Sequence, residues 1–143
     1  MKKGTEFFSK TPSPIYEGGT MIFETHAHYD DEQFDLDREE LLSSMPEQGV
    51  GTIVNVSATY ESCRRVVDLV QKYPFMYAAV GIHPDEVGSL NEERFQQMKE
   101  LCKQEKVVAV GEIGLDYYWD NESHDVQKLS LIHISEPTRQ EAI

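Results

Sequence analysis

The chain has 143 residues, room for one domain with a real core, and its 26 acidic against 13 basic side chains leave a formal net charge of −13. That balance argues against gripping nucleic acid or an anionic membrane through a basic surface, yet it leaves open a nuclease whose bound divalent cations meet the phosphate. Two cysteines, Cys63 and Cys102, imply no disulfide framework and fit a reducing cytoplasm, and no run is long or apolar enough for a membrane span or a signal peptide.

Residues 1–20 have no sustained period and carry Pro12, Pro14, Gly18 and Gly19, the composition of an unstructured extension. Glu17-Gly18-Gly19 is also what a purine run of the ribosome-binding type encodes, which would make Met21 the true start. From Met21 the pattern alternates strand and helix. Met21 to Thr25 reads as a strand that runs into His26-Ala27-His28. Residues two apart on a strand share a face, so both imidazoles aim at one point beyond its C-terminal end. They are half of a metal site or two unrelated surface histidines.

The acidic stretch Tyr29 to Asp35 is a loop, with Asp30, Asp31 and Glu32 expected in solvent. Asp35 or Asp37 caps a helix whose apolar face is Leu41, Leu42 and Met45 and which ends near Gly49. A second strand spans Gly51 to Ser57. The helix from about Tyr60 places Cys63, Val66, Val67 and Val70 at i, i+3, i+4 and i+7, and Pro74 ends it. Phe75 to Ile82 is the nearly continuous apolar run of a strand buried on both faces. Ser89-Leu90-Asn91-Glu92 has capping-box spacing ahead of a helix that buries Phe95, Met98, Leu101 and Cys102, and Val107 to Val110 is a fourth buried strand.

Strands alternating with helices at this spacing specify right-handed βα units and a parallel sheet. His26 and His28 follow the first strand, His83 the third, and Glu112 and Asp116 the fourth. Ionisable residues gathered at the C-terminal ends of successive strands are how a (β/α)8 TIM barrel builds its active site. A doubly wound nucleotide fold wants a glycine-rich first turn, which Thr25-His26-Ala27-His28 is not. The expected fold class is therefore α/β, a (β/α)8 barrel. Val107-Val108-Ala109-Val110-Gly111 delivers Glu112 directly from a strand, where a carboxylate can bridge two cations about 3.5 to 4 Å apart, or else sits solvated in a loop. His83, stiffened by Pro84, contacts substrate or caps its strand. Asp116 orients a ligand or a water, or merely turns the chain. Tyr117, Tyr118 and Trp119 stack on a base or plug the mouth of the barrel.

Phe23-Glu24-Thr25-His26-Ala27-His28, Gly81-Ile82-His83-Pro84 and Gly111-Glu112-Ile113-Gly114-Leu115-Asp116-Tyr117, in this order and spacing, resemble the TatD-type metal-dependent hydrolases. These are TIM barrels usually described as deoxyribonucleases, often with Asp where Glu24 stands. The resemblance implies two divalent metal ions (zinc, manganese or magnesium). His26 and His28 would bind one, and Glu112 would bridge both and serve catalysis with Asp116; His83 is the substrate-binding candidate. It implies hydrolysis of DNA phosphodiester bonds by a metal-activated water. The nearest alternatives are a hydrolase of the same barrel acting on a small phosphoester, amide or lactone, and a noncatalytic half-barrel fragment. DNA or a small phosphoester is thus the expected partner, with no membrane and no protein partner implied.

The resemblance covers residues 21–128, about the first four βα units, whereas a complete barrel takes roughly 250 residues and the family draws two more histidines and an aspartate from its second half. Leu131-Ile132-His133 imitates a fifth strand, but a parallel crossover of a dozen or more residues does not fit before it. Residues 129–143 resemble, in frame, the translation of a transposon adapter used in sequencing libraries, which marks them as a non-native tail in which His133 has no role. A half-barrel of this kind is expected to expose its first and fourth strands as edges, to be poorly soluble, partly ordered or self-associating, to bind metal weakly and to be inactive as written.

Overall fold

The computed structural model describes residues 21–118 and 124–140, with side chains in the last helix described as far as Ser135. Expectations for residues 1–20 and for Trp119 fall outside the described residues. Four strands, β1 (Ile22–Ala27), β2 (Val50–Val56), β3 (Met76–Val80) and β4 (Val107–Val110), alternate with helices α1 (Arg38–Ser44), α2 (Tyr60–Val70), α3 (Glu92–Leu101) and α4 (His124–Gln140). The strands pair in the order β1-β2-β3-β4, every pair parallel. All four C-terminal ends therefore lie along one edge of the sheet, and the chain adopts the first four βα units of a TIM barrel, an open sheet among the described residues.

α2 holds the packing together. Thr59 caps it in a reciprocal capping box with Ser62. Its 3.6-residue period then splits its apolar residues between two clusters. Val66, Leu69 and Val70 pack with Leu42 of α1, Ile53 of β2 and Met76 and Ala78 of β3. Cys63 and Val67 pack with Val80, Ile82 and Val87 and with Met98 and Leu101 of α3. One helix thus pins two strands and both neighbouring helices. Beyond the end of α2, Lys106 donates to the carbonyls of Val70 (2.5 Å) and Tyr73, which ties the start of β4 to the C-terminal end of this helix.

Four local expectations need correction. Neither Asp35 nor Asp37 caps α1 with its side chain; Asp37 sits at the cap position without such a bond, and Asp35 is taken by the guanidinium of Arg38 at 2.6 Å. The same guanidinium reaches the carbonyls of Tyr29 (2.6 Å) and Asp31 (2.8 Å) and so organises the whole acidic loop. Asp30 is buried, not solvated. The cap of α3 is Asn91, which accepts from the Arg94 N–H at 2.9 Å, because Pro84 starts a 3-10 turn over Pro84–Ser89 that consumes Ser89. Met98 and Leu101 are buried as expected, but Phe95 and Cys102 only half so.

β4 is an exposed edge, as expected of the fourth strand of a half-barrel, and not the buried strand its apolar run suggests. It pairs with β3, and Val108 and Val110 are exposed, as are Ile22 and Phe23 on β1. A strand reads as buried from its apolar run, but burial needs neighbours on both faces and both sides; among the described residues β1 and β4 are the edges. α4 runs without interruption from His124 through the stretch that imitates a fifth strand, which is helical. Gln127, Ser130 and Ile134 form its buried stripe, while His133 lies on the outside with its ring 6.0 Å from Phe95.

Leu42 is completely buried against α2 and the sheet. Leu42→Ala is expected to cost about 2–5 kcal/mol in denaturant unfolding, whereas Leu36→Ala, at a fully exposed position, should stay within about 0.5 kcal/mol of the parent chain.

Candidate metal centre

In a flat parallel sheet the backbones of β1 and β4 would stand about 14 Å apart, three strand spacings. Their site residues nevertheless touch. Nε2 of His26 lies 2.6 Å from Oε1 of Glu112, Nε2 of His28 lies 3.6 Å from the same oxygen, and the two imidazole nitrogens are 3.2 Å apart. The three ligand atoms fall within 4.8 Å of one another, and among the described residues no other group of histidine, cysteine or carboxylate side chains converges in this way.

The convergence is built by the end of β2. After Val110 the chain does not continue along β4. The Gly111 N–H donates to the Val80 carbonyl (3.1 Å), and the Glu112 N–H reaches past β3 to the carbonyl of Ser57 (2.9 Å). That crossing passes directly over Gly81. A Cβ on Gly81 would stand 2.4 Å from the Glu112 carbonyl oxygen and 2.5 Å from the Gly111 carbonyl carbon, both backbone atoms that cannot step aside cheaply. Ser57 holds Gly81 in place from the other side: its buried hydroxyl donates to the Gly81 carbonyl and accepts from the Gly81 N–H, each at 2.8 Å. The Gly111–Glu112 peptide is cis.

The ring of His28 is held by the backbone of β2. Nδ1 of His28 lies 2.8 Å from the carbonyl of Val56. A carbonyl only accepts, so Nδ1 carries the proton and Nε2 presents its lone pair toward Glu112. Glu24 accepts from the His26 N–H at 3.0 Å and steadies the strand just before the pair. Both imidazoles keep about half of their surface open, while Glu112 is mostly covered. Two imidazoles and one carboxylate, gathered around a single point and reachable from outside, suit a divalent cation of the zinc, manganese or magnesium kind. The donor set fits such an ion.

The other expected site residues stand apart from this group. His83 begins the Pro84–Ser89 turn, where its Nδ1 accepts from the Asp85 N–H (3.3 Å), so its Nε2 carries the proton. Asp116 turns the chain: its carboxylate accepts from the Tyr118 N–H (2.9 Å), and the Gln127 amide grips its backbone N–H and carbonyl, both at 2.9 Å. Tyr117 and Tyr118 are exposed on that loop, with the Tyr117 ring 4.1 Å from His124.

Gly81, Ser57 and Asn55 have no place in the sequence-based site. A signal was present, since Asn55 and Ser57 are polar residues at the end of the otherwise apolar run Ile53-Val54-Asn55-Val56-Ser57, and such residues are buried only when their bonds are met.

Residues 23–140 match the family described as TatD related DNase. Among curated relatives, the chain is 43% identical over 108 residues to "Uncharacterized metal-dependent hydrolase YabD" of Bacillus subtilis (strain 168), covering 76% of this chain and 42% of that protein. It is 27% identical over 96 residues to "3'-5' ssDNA/RNA exonuclease TatD" of Cronobacter turicensis, covering 67% of this chain and 36% of that one. Among solved structures, that of YJJV, a TatD homolog from Escherichia coli K12, superposes with a TM-score of 0.73 at 33% identity over 85% of this chain and 48% of the other. The chain thus spans less than half the length of each of these relatives.

Two substitutions separate ligand chemistry from backbone fit. Glu112→Gln keeps the shape and removes the charge, and should weaken binding of Co2+ or Mn2+ at least tenfold in a titration with little change in melting temperature. Gly81→Ala should lower both, because displacing Glu112 relieves the clash; unchanged metal affinity in this variant would show that the crossing does not set the site.

Proposed function

Because the chain belongs to the TatD related DNase family, we propose that its metal centre serves the divalent-metal-dependent hydrolysis of phosphodiester bonds in DNA, in the cytoplasm. The observation that carries this is the convergence of the two imidazole nitrogens and the Glu112 carboxylate within 4.8 Å at the C-terminal edge of the sheet. His26 and His28 would hold one divalent ion, and Glu112 would be shared with a second. When bound, such ions acidify a water and offset charge on the phosphoryl oxygens. Glu112, with 21% of its side-chain surface accessible, is placed to take part without being fully hydrated.

His83 and Asp116 are proposed to complete the site as substrate-binding and catalytic groups. In the described conformation each is held by a turn, His83 through Asp85 and Asp116 through Tyr118 and Gln127. His83 follows β3 and Asp116 follows β4, so both belong to loops after the C-terminal strand ends, the side of the sheet on which the centre lies. The chain's net charge of −13 makes bound cations the means by which an anionic substrate is tolerated. No helix among the described residues is long and apolar enough to cross a membrane, in keeping with a dissolved substrate.

The test uses residues 1–128 joined to the second half of the Bacillus subtilis relative, beside the 143-residue chain itself. The joined protein is expected to degrade end-labelled single-stranded DNA in Mn2+ or Zn2+, to stop with chelator, and to lose at least a hundredfold in rate on Glu112→Gln. The chain alone is expected to bind the ion with little turnover. Cleavage of a small phosphoester, amide or lactone with DNA left intact would move the substrate to the second class. Activity that survives chelation would end the metal-dependent assignment altogether.

A further inference from the structure

Asn55 is completely buried, and neither its burial nor its partners follow from the ligand set of the metal centre. Both ends of its amide bond to one short segment. Oδ1 accepts from the Tyr29 N–H at 2.7 Å, and Nδ2 donates to Oδ1 of Asp30 at 2.9 Å. The Asp30 side chain is itself 6% exposed, its second oxygen lying 3.9 Å from Nε of Arg65. The next residue of β2, Val56, accepts from Nδ1 of His28 at 2.8 Å. Two consecutive strand residues therefore hold three consecutive loop residues: the ring of His28, the backbone of Tyr29 and the carboxylate of Asp30.

This arrangement has a consequence for the centre. The Val56 carbonyl can set the tautomer of His28 only if the backbone of residues 28–30 is kept at the right distance from β2. β1 ends at Ala27, which pairs with Asn55 after an irregular register between Glu24 and Ala27, so the sheet ladder stops one residue short of His28 and leaves residues 28–30 to be held by other bonds. Buried hydrogen bonds are the stronger for lying out of water, and a buried amide left half-paired is costly. We propose that the Asn55–Asp30 pair is a positioning device for the metal centre, holding His28 so that its Nε2 meets His26 and Glu112. This rests on the assignment of those three residues as metal ligands.

The chemistry of the pair provides its own control. Asn55→Asp keeps the acceptor for Tyr29 but sets two carboxylates against each other where a donor stood. Exchanging the partners, Asn55→Asp with Asp30→Asn, restores one donor and one acceptor in the reverse sense, at the cost of a loose contact to Arg65, a half-exposed side chain. Co2+ is titrated into the full 143-residue chain and the three variants Asn55→Asp, Asp30→Asn and the exchange, following the visible absorption of the bound ion. Asn55→Asp is expected to weaken binding about tenfold or more and to alter the spectrum; the exchanged pair should recover affinity to within about threefold of the parent and regain the parent spectrum. Parent-like affinity in Asn55→Asp overturns the proposal. So does an exchanged chain that melts like the parent but still binds poorly. Should the parent chain itself fail to bind Co2+, the ligand assignment falls and the positioning role with it, an outcome distinct from the other two.

Discussion

The site depends on one close approach of backbone to backbone, the passage of Gly111 and Glu112 over Gly81. A residue leaving β4 is a sheet's width from β1, and side chains alone do not close such a gap. The chain closes it by folding back across the end of β3 until the Glu112 N–H bonds to the carbonyl of Ser57, the residue just past β2. Only a residue without Cβ leaves room beneath that crossing. Ser57 then acts on both layers at once, its carbonyl taking Glu112 and its hydroxyl clasping Gly81. The curl of a barrel is here visible as a set of particular bonds.

Seen from β2, the centre is a consequence of three successive residues. Asn55 fixes the turn after the histidines, Val56 orients His28, and Ser57 receives Glu112. β2 is an inner strand of the described sheet, flanked by β1 and β3 and covered by α2. Ligands on the exposed strands β1 and β4 thus take their geometry from the best-buried part of the fold. This is a sound division, because edge strands are the parts of a sheet most prone to fray or to pair elsewhere, whereas a buried strand holds its partners rigidly.

The electrostatics run in the same direction. An acidic chain repels anions, and on the proposed reading bound cations offset that charge at the carboxylate–imidazole cluster. Arg38 serves a different end. Its guanidinium is spent on the carbonyls of Tyr29 and Asp31 and on Asp35, and it shapes the acidic loop beside the centre rather than facing a ligand.

Local chemistry was legible in the sequence wherever it depends on short-range periodicity. The period of two puts His26 and His28 on one side, the period of 3.6 assigns Cys63, Val66, Val67 and Val70 to one helix face, and an apolar run ending in Gly111-Glu112 presents a carboxylate at a strand end. These follow from backbone geometry that every strand and helix shares. What lay beyond reach was each choice among equivalent local partners. Asn91 rather than Ser89 caps α3, Arg38 takes Asp35 away from α1, and Asp30 goes inside because Asn55 awaits it. The role of Gly81 is of the same kind, since a glycine in sequence says that a side chain is absent, and only the tertiary structure decides which backbone occupies the space.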